Sequence, residues 1–393
     1  MALSPLSSPA ARGAAAILGA VVADAASRGT HWRDARADVE KAVGGALGSG
    51  GEFVHPPVPT YHRLRRAGQP TMYGEGALVL ARALAASADG ATLSEAAFLA
   101  EWKASFGVCG SFAGYADHTT RTTVFKMMAV AAANEAATFP PKDAPEALRG
   151  PLFMGVKAAA AELSGAALAL RAAAVAAEAG APQCAGWATE AAAAWDIILR
   201  TPVASDDDQS NTLGKLVPAA VAAAGRDDFD ARVERAIRVT QENGDVVAWF
   251  VPLARAIEAA VLGTAATPRA ALEAALPHWV DPARRARIGE ALAAADAGED
   301  VWAAIARFGA ACGAASTAPL TVFMLARFGG GAGGGFEAAV RNNMAGDSAA
   351  RACVIGAVLG ALGGLPEAWA ARLDGATRAE TERLAAAVSA RLG

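Results

Sequence analysis

Along most of the chain, apolar residues recur at the spacing that places them on one face of a helix. In some segments they are nearly continuous, as in a helix that is buried on every side. Segments 151–180, 217–225, 246–263 and 349–363 all show this spacing. The alternation of apolar and polar residues that indicates a strand is nearly absent. The pattern therefore predicts an all-α protein.

Polar residues with capping chemistry precede several apolar segments. Thr92 and Glu95 have the spacing of a capping box, in which each side chain bonds a backbone N–H of the other residue. Thr267 and Asp281 each precede a proline, which is tolerated in the first helical turn because the N–H that it lacks would have no partner there. We expect helices to begin at all three places.

Three stretches are polar or rich in glycine and proline, and we interpret them as loops: 43–74, 201–212 and 328–335. None of them has the length of a linker between domains, and no internal repeat is visible. We therefore expect a single domain over residues 1–393, with its core at about residues 11–370.

The composition narrows the classes of partner. Hydrophobic residues make up 54% of the chain and aromatic residues only 6%, so alanine and other small aliphatic side chains must form much of the core. The net charge is −4 and no basic block is present, which argues against a nucleic-acid footprint or an anionic membrane surface. We expect neither nucleic acid nor a membrane as a partner.

The cysteines and the N-terminal segment bear on localisation. The four cysteines are scattered and form no Cys-x-x-Cys pair, which argues for reduced thiols and a cytoplasmic protein. Residues 13–23 form an apolar stretch of signal-peptide length. Only Arg12 precedes it as a charge, and Asp24 and Arg28 follow at once, so we expect the first helix of the fold instead.

The strongest candidate for chemistry is the turn of Gly346, Asp347 and Ser348, which opens a helix of small residues. Such a turn presents a carboxylate and a hydroxyl beside the free backbone N–H groups of a helix N-terminus. Asp and Ser are also good N-caps, and the spacing by itself favours that structural role. Asn343 lies just before the turn.

A second candidate is the segment from Tyr73 to Gly76, at the start of a strongly apolar helix. Glu75 lies in the first turn, where the helix dipole favours an acid, and this alone explains its presence. The glycines on both sides of it, Gly74 and Gly76, indicate a group that approaches the backbone closely. The sequence leaves both interpretations open.

A third candidate is the segment from Asp24 to Trp32. An acid on an apolar helix face is costly unless it is paired or hydrogen-bonded, so Asp24 requires a partner, and a purely structural one would suffice. His31 is more simply explained as a capping or packed histidine than as part of a site.

Two weaker candidates are the segment with Tyr115 and Asp117 and the acidic run Asp206–Asp208. A triple aspartate is usually a solvated loop or a cap, but oxygen-rich loops are also what Mg²⁺ requires. No GxSxG elbow, Walker loop or HExxH motif is present. A GxGxxG match at 329–334 follows a helix-like segment rather than a strand, so we discard it.

Taken in order, these segments resemble the ADP-ribosylglycohydrolase family, and most closely its branch of J1-type crystallins and selenoprotein J. The resemblance implies an orthogonal bundle of helices around a cleft. In active members, two Mg²⁺ ions at the cleft floor hold ADP-ribose, and the bond at its anomeric carbon is hydrolysed. The similar segments are 19–32, 73–80, 114–117, 206–209 and 346–351.

The chain departs from the active pattern of this family at two motifs. At 73–76 it keeps one acid where the family usually has Thr-Asp-Asp-Thr, and at 346–350 it keeps the first acid and a hydroxyl of Gly-Asp-Thr-Asp-Thr. The resemblance therefore implies at most one Mg²⁺ ion, held by Glu75 and Asp347 with help from Asp207.

The resemblance leaves three functions open. The first is a hydrolase acting on ADP-ribose conjugates or a related glycoside, in which Glu75 and Asp347 bind the metal or activate water. The second is a non-catalytic protein, crystallin-like or nucleotide-binding, that kept the fold. The third is a helical scaffold that binds a peptide at the loop 55–66. For the hydrolase, the expected substrate-binding residues are Tyr73, Gly74, Gly346, Ser348, His31, Tyr115, Asp117 and Asn343.

Overall fold

The structure is a computed structural model that describes residues 6–43, 52–54, 61, 62, 64–107, 110–127 and 203–393. Within these ranges the chain consists of helices, turns and loops, with two isolated β-bridges, Ser205–Gln241 and Gln209–Gly313, and no strand. The all-α prediction is confirmed for this part of the chain.

The helices are numbered in chain order. They are α1 (Pro9–Ser27), α2 (Arg36–Val43), α3 (Met72–Ala85), α4 (Glu95–Phe106), α5 (118–127), α6 (Thr212–Ala223), α7 (Phe229–Arg238), α8 (Gly244–Leu262), α9 (Pro268–Ala275), α10 (Pro282–Asp296), α11 (Val301–Phe308), α12 (Ala314–Phe328), α13 (Phe336–Asn342), α14 (Ser348–Ala361), α15 (Glu367–Ala370) and α16 (Gly375–Ser389). Short 3₁₀ helices lie at Arg28–Thr30, Leu276–His278 and Ala390–Leu392.

The predicted helical segments 217–225, 246–263 and 349–363 coincide with α6, α8 and α14. The segment 151–180 lies outside the described residues, as do Cys109 and Cys184.

The chain divides into two compact units. The first consists of Met1–Ala116, Asp208–Val239 and Asn243–Gly393, and the second of Asp117–Asp207 and Thr240–Glu242. The expectation of a single domain stays a prediction. All the helices named above except α5 belong to the first unit.

The helix starts follow the sequence signals in two of the three predicted places. Thr267 and Asp281 cap α9 and α10, and each side chain accepts a backbone N–H of the first turn. The capping-box prediction for Thr92 is wrong. Ser94 is the N-cap of α4, and the Thr92 hydroxyl instead donates to Asp89 over 2.9 Å, because the preceding turn holds it there.

The segment predicted as the first helix of the fold forms α1, and Ser8 caps it. Together with the following 3₁₀ turn, at Pro9–Thr30, it is long and apolar enough to cross a membrane by length and composition alone. About two thirds of its apolar window (67%) is buried inside the protein, as in a core helix. No other helix among the described residues passes the same test.

Close packing of α1 against α14 brings together the turn after α1 and the turn before α14, which meet at the candidate site. A Cβ on Gly19 would overlap the carbonyl oxygen of Gly356, and one on Gly360 would overlap that of Ala15, so the two backbones touch. The pairing of 15 with 360 and 19 with 356 makes the helices antiparallel. The C-terminal end of α1 therefore lies beside the N-terminal end of α14.

Candidate functional site

Asp347 occupies the N-cap position of α14 but does not cap it, because its side chain makes no hydrogen bond to the first turn. Its Oδ1 atom instead accepts hydrogen bonds from the Tyr73 hydroxyl over 2.7 Å and from the Trp32 indole Nε1–H over 3.0 Å. The side chain is fully buried (0% exposed). The carboxylate that the sequence offered as a cap is thus turned towards residues from two other segments.

His31 takes over the capping of α14. Its Nδ1 accepts the backbone N–H of Ala349 over 3.3 Å, and from this hydrogen bond we assign the proton of the neutral ring to Nε2. That Nε2 lies 3.6 Å from Asp347 Oδ1. Burial, reinforced by His62 and the charge of Arg351, holds the pKa of His31 well below its usual value. The ring is therefore neutral at neutral pH.

Cys312 is another neighbour of Asp347. Its thiol lies near Asp347 and Trp32, both of which act on its pKa, and is only partly exposed. Burial, and then the charge of Asp347, raise the pKa of this thiol to about 12. At neutral pH Cys312 is a thiol and a weak hydrogen-bond donor, which makes it a poor nucleophile.

Arg351 supplies the positive charge near Asp347. Its Nε donates to Asn343 Oδ1 over 2.9 Å, and its Nη2 donates to the carbonyl oxygens of Met344 and Ala345. Burial lowers the pKa of Arg351 to about 10, partly offset by the charge of Asp347, so the guanidinium stays charged at neutral pH. The arginine therefore holds the turn before α14 and balances the buried carboxylate.

The predicted substrate residues Asn343 and Ser348 have partners within the protein, and their contact with a substrate stays a prediction. Asn343 is buried and donates from Nδ2 to the carbonyl oxygen of Ser348 over 2.7 Å. The Ser348 hydroxyl lies 3.3 Å from that of Thr30 and is fully buried. Both side chains join the turn before α14 to its neighbours.

The backbone around Asp347 is strained. Trp32 and Ala345 have φ values of 55° and 60°, which are left-handed conformations that residues other than glycine rarely adopt. The backbone N–H of Trp32 donates to the carbonyl of Gly346 over 2.7 Å, and the backbone N–H of Gly346 donates to the carbonyl of Arg33 over 3.1 Å. Gly346 has a φ of 51°, and a Cβ there would overlap the carbonyl oxygen of Ala310.

Aromatic rings connect Asp347 with the surface. Trp32 packs edge-on against Tyr61 and Tyr115, with ring centroids 5.1 and 5.0 Å apart, and stacks on His62 at 5.6 Å. Trp32 and Tyr115 are partly exposed, and Tyr61 is 60% exposed. We call Trp32, Tyr61, His62 and Tyr115 the aromatic cluster.

All three tyrosines of the chain lie in or beside this cluster, since Tyr73 contacts the ring of His31 edge-on at 5.4 Å. Burial, followed by the charges of Arg28 and Arg65, lowers the pKa of His62 to about 3, so this second histidine is also neutral.

Asp24 has the structural partner that the sequence required. Its carboxylate accepts the backbone N–H of Thr71 over 2.6 Å and the Thr71 hydroxyl over 2.5 Å, just before α3. Burial raises the pKa of Asp24 to about 7, and the hydrogen bonds from Thr71 limit the rise. A Cβ on Gly74 would lie 2.7 Å from Asp24 Oδ2, so this glycine permits the close approach of Asp24, and its contact with a substrate stays a prediction.

Glu75 lies on the same helix start as Tyr73 but has different partners. Its Oε1 accepts from Arg82 Nη1 and from the Ser105 hydroxyl, each over 3.0 Å. Arg82 also forms an ion pair with Glu380. Glu75 is thus part of a partly buried ionic network that joins α3 to α4 and α16.

Two predicted site residues, Asp117 and Asp207, belong to the second unit. Asp117 Oδ1 accepts the backbone N–H of Thr120, the bond of an N-cap at the start of α5. Asp207 accepts from the Thr119 hydroxyl over 2.6 Å and from Gln241 Nε2 over 3.0 Å.

The donor set around Asp347 does not fit a Mg²⁺ site. Mg²⁺ requires several oxygen ligands, whereas Asp347 is surrounded by N–H, O–H and S–H donors, and the Glu75 carboxylate is already paired with Arg82. Among the described residues, no group of three or more His, Cys, Asp or Glu side chains could hold a metal ion. The sharing of one ion by Glu75, Asp347 and Asp207 stays a prediction.

Sequence reasoning selected Asp347, Tyr73, His31 and Tyr115 but missed their partners. The sequence pattern places Trp32 only at the end of the third candidate segment and Tyr61 only in the possible peptide-binding loop 55–66, and it gives no sign of Cys312. One signal was available: three tyrosines in a chain of 393 residues are few enough that each merits a search for a partner.

Comparisons with known proteins agree with this architecture. The family model described as ADP-ribosylglycohydrolase matches residues 5–392. A solved structure titled "ADP-ribosylglycohydrolase-related protein complex" is similar at a TM-score of 0.52 and 17% identity, covering 99% of this chain and 100% of that chain. At that identity the likeness concerns the fold alone. No curated protein matches the sequence.

Proposed function

This chain belongs to the ADP-ribosylglycohydrolase family, and we propose that it hydrolyses the bond at the anomeric carbon of ADP-ribose or of a related ribosyl conjugate. One observation supports this more than any other: Asp347 stands where a helix cap is expected, yet its carboxylate is held by Tyr73 and Trp32 at the inner end of the aromatic cluster. An aspartate that served only as the cap of α14 would bond the first turn of that helix.

The chemistry requires a negative charge near the anomeric carbon. Hydrolysis of a glycosidic bond passes through a transition state with positive charge on that carbon, which a fixed carboxylate stabilises. Tyr73 and Trp32 fix the orientation of Asp347, and the positive end of the α14 dipole stabilises the negative charge of its carboxylate. The exposed face of the aromatic cluster suits a ring of the substrate, because aromatic side chains stack on nucleobases and sugars.

The test compares Asp347→Asn with Asp38→Asn, an exposed aspartate on α2. Release of ADP-ribose or ribose from ADP-ribosylated peptide and from O-acetyl-ADP-ribose is followed by chromatography. Asparagine keeps the size of the side chain but removes the charge, so we expect kcat to fall by at least about 100-fold. Full activity of the Asp347 variant would refute its role.

A non-catalytic binding protein is the second candidate, favoured by the engagement of Glu75 with Arg82 and Ser105, which pairs one of the two acids expected to catalyse the reaction. Ligands that bind only the folded protein raise its melting temperature. A rise in Tm with ADP-ribose in a protein that hydrolyses neither substrate would select this candidate. The relation to the J1-crystallin and selenoprotein J branch stays a prediction.

A further inference from the structure

Two buried donors beside Asp347 have no hydrogen-bond partner within the described part of the chain: His31 Nε2 and Arg351 Nη1. Both side chains are essentially fully buried, at 3% and 0% exposure. Buried N–H groups are nearly always bonded, so unpartnered ones indicate a bound group such as a water molecule. Both donors lie in the surroundings of Asp347: His31 Nε2 is 3.6 Å from its Oδ1, the charge of Asp347 acts on Arg351, and the charge of Arg351 acts on His31.

The distance between His31 and Asp347 has the same implication. His31 Nε2 carries the ring proton, since Nδ1 accepts from Ala349, and it lies 3.6 Å from Asp347 Oδ1. That distance is too long for a direct hydrogen bond. Polar contacts beyond about 3.5 Å are often bridged by water.

A single water molecule has the hydrogen-bonding capacity to satisfy these groups together. Its oxygen has two lone pairs, which accept one hydrogen from His31 Nε2 and one from Arg351 Nη1. Its own hydrogens can then be donated to the Asp347 carboxylate. An anion would meet the negative charge of Asp347, and a cation would meet the N–H groups of His31 and Arg351, so water is the ligand that fits both.

We propose that His31 and Arg351 position the water molecule that attacks the anomeric carbon, with Asp347 as its proton acceptor. This inference rests on the proposed function. In the step, one water proton passes to Asp347 and the water oxygen bonds to the anomeric carbon. The bond to the leaving group breaks, the leaving atom keeps the electron pair and takes a proton from solvent, and Asp347 later returns its proton to solvent.

The two ring nitrogens of His31 have different roles in this arrangement. Nδ1 caps α14 and is structural, whereas Nε2 faces the water and is needed only for the reaction. His31 and Arg351 are positioning residues, because they act on the substrate through the water.

Two substitutions of His31 separate these roles. His31→Asn retains an acceptor near the position of Nδ1 but no donor near Nε2, and His31→Gln retains a donor near Nε2 but loses the acceptor that caps α14. We expect His31→Asn to keep the wild-type Tm and lose up to about 100-fold in kcat with little change in KM. His31→Gln should show the opposite pattern, a lower Tm with most of the kcat retained.

A crystal structure of the ligand-free protein tests the water independently of any activity. We expect an ordered water at about 2.7–3.2 Å from both His31 Nε2 and Arg351 Nη1. If the Asp347 carboxylate contacts both donors directly, or if no water bonds them, the inference is overturned. Absence of hydrolysis in a protein that holds this water would instead refute the proposed function. Equal kcat in the two His31 variants would overturn the inference.

Discussion

The indole N–H of Trp32 donates to the carboxylate of Asp347 over 3.0 Å, although the two residues are 315 positions apart in the chain. The bond joins the turn after α1 to the turn before α14, and the same two turns exchange backbone hydrogen bonds between residues 32–33 and 346. Trp32 reaches this position with a left-handed backbone, whose strain must be offset by these contacts. The bond is therefore central to the order of the site.

Replacing Trp32 by phenylalanine should destabilise the protein while preserving most of the ring contacts. The variant loses one hydrogen bond to a buried charged group, so we expect the free energy of unfolding to fall by about 1.5–3 kcal/mol. Urea unfolding measures the change. The control is Trp302→Phe on α11, a partly exposed tryptophan for which we expect less than about 0.5 kcal/mol. An equal loss of unfolding free energy in the two variants would contradict a stabilising hydrogen bond between Trp32 and Asp347.

Gly346→Ala should be among the most destabilising glycine substitutions in the first unit. Its φ of 51° disfavours alanine, and the new Cβ would overlap the carbonyl oxygen of Ala310. We expect a loss of about 3 kcal/mol or more. Gly289→Ala within α10 is the matched control: its Cβ would meet nothing within 4 Å, so we expect a gain of about 0.5–1 kcal/mol. Differential scanning calorimetry of both variants checks the prediction, which a tolerated Gly346→Ala would refute.

Asp24 should make stability decrease as the pH rises from about 4 to about 7. Burial raises its pKa in the folded protein from 3.8 to about 7, so in this window the folded state binds the proton more tightly than the unfolded state. The contribution is complete below the unfolded pKa and is lost as the pH passes the folded one.

The measurement is urea unfolding at pH 5 and pH 8 for the wild type, Asp24→Asn and, as a control, the exposed Asp38→Asn. Asparagine still accepts a hydrogen bond from Thr71 but does not titrate. We expect the fall in unfolding free energy between the two pH values to be smaller in Asp24→Asn than in the other two proteins. An unchanged fall would mean that Asp24 does not titrate as described.

Cys312 should react slowly with iodoacetamide at pH 8, because its pKa of about 12 leaves little thiolate. Asp347→Asn removes the largest electrostatic cause of that pKa and should speed labelling. Asp34→Asn should do so less, since the charge of Asp34 acts more weakly on the thiol. Labelling rates come from mass spectrometry of the Cys312 peptide. A larger effect of Asp34→Asn would show that the thiol lies elsewhere.

Removal of divalent ions should leave the protein unchanged. The N–H, O–H and S–H donors around Asp347 fit a carboxylate held by hydrogen bonds, so we expect the same Tm and the same hydrolysis rate with EDTA as with added Mg²⁺. The sequence-based alternative predicts a rise in Tm with Mg²⁺ that disappears in both Glu75→Gln and Asp347→Asn. That result would support a Mg²⁺ ion shared by Glu75 and Asp347.

The fold was largely predictable because its signals are local. Helix periodicity and the caps at Thr267 and Asp281 depend on a few neighbouring residues, and they were confirmed. The error at Thr92 has a local cause too, since Asp89 competes for its hydroxyl. Most residues of the second unit lie outside the described ranges, so the helix predicted at 151–180 stays a prediction.

The site was only partly predictable because its contacts are not local. The turn at Asp347 was recognised, but its sequence favoured a cap, and only the three-dimensional contacts with Tyr73 and Trp32 distinguish the two roles. Glu75 was selected for its glycine neighbours, yet one glycine serves the approach of Asp24 and the acid itself pairs with Arg82. Such competition between partners is invisible without coordinates.

The contact between the backbones of Gly19 and Gly356 has a consequence for biosynthesis. The halves of the site come from positions near 30 and near 347, so a nascent chain carries Trp32 out of the ribosome long before its partner is translated. A truncated product that ends before α14 leaves the apolar face of α1 uncovered, and we expect such fragments to require chaperones or to be degraded.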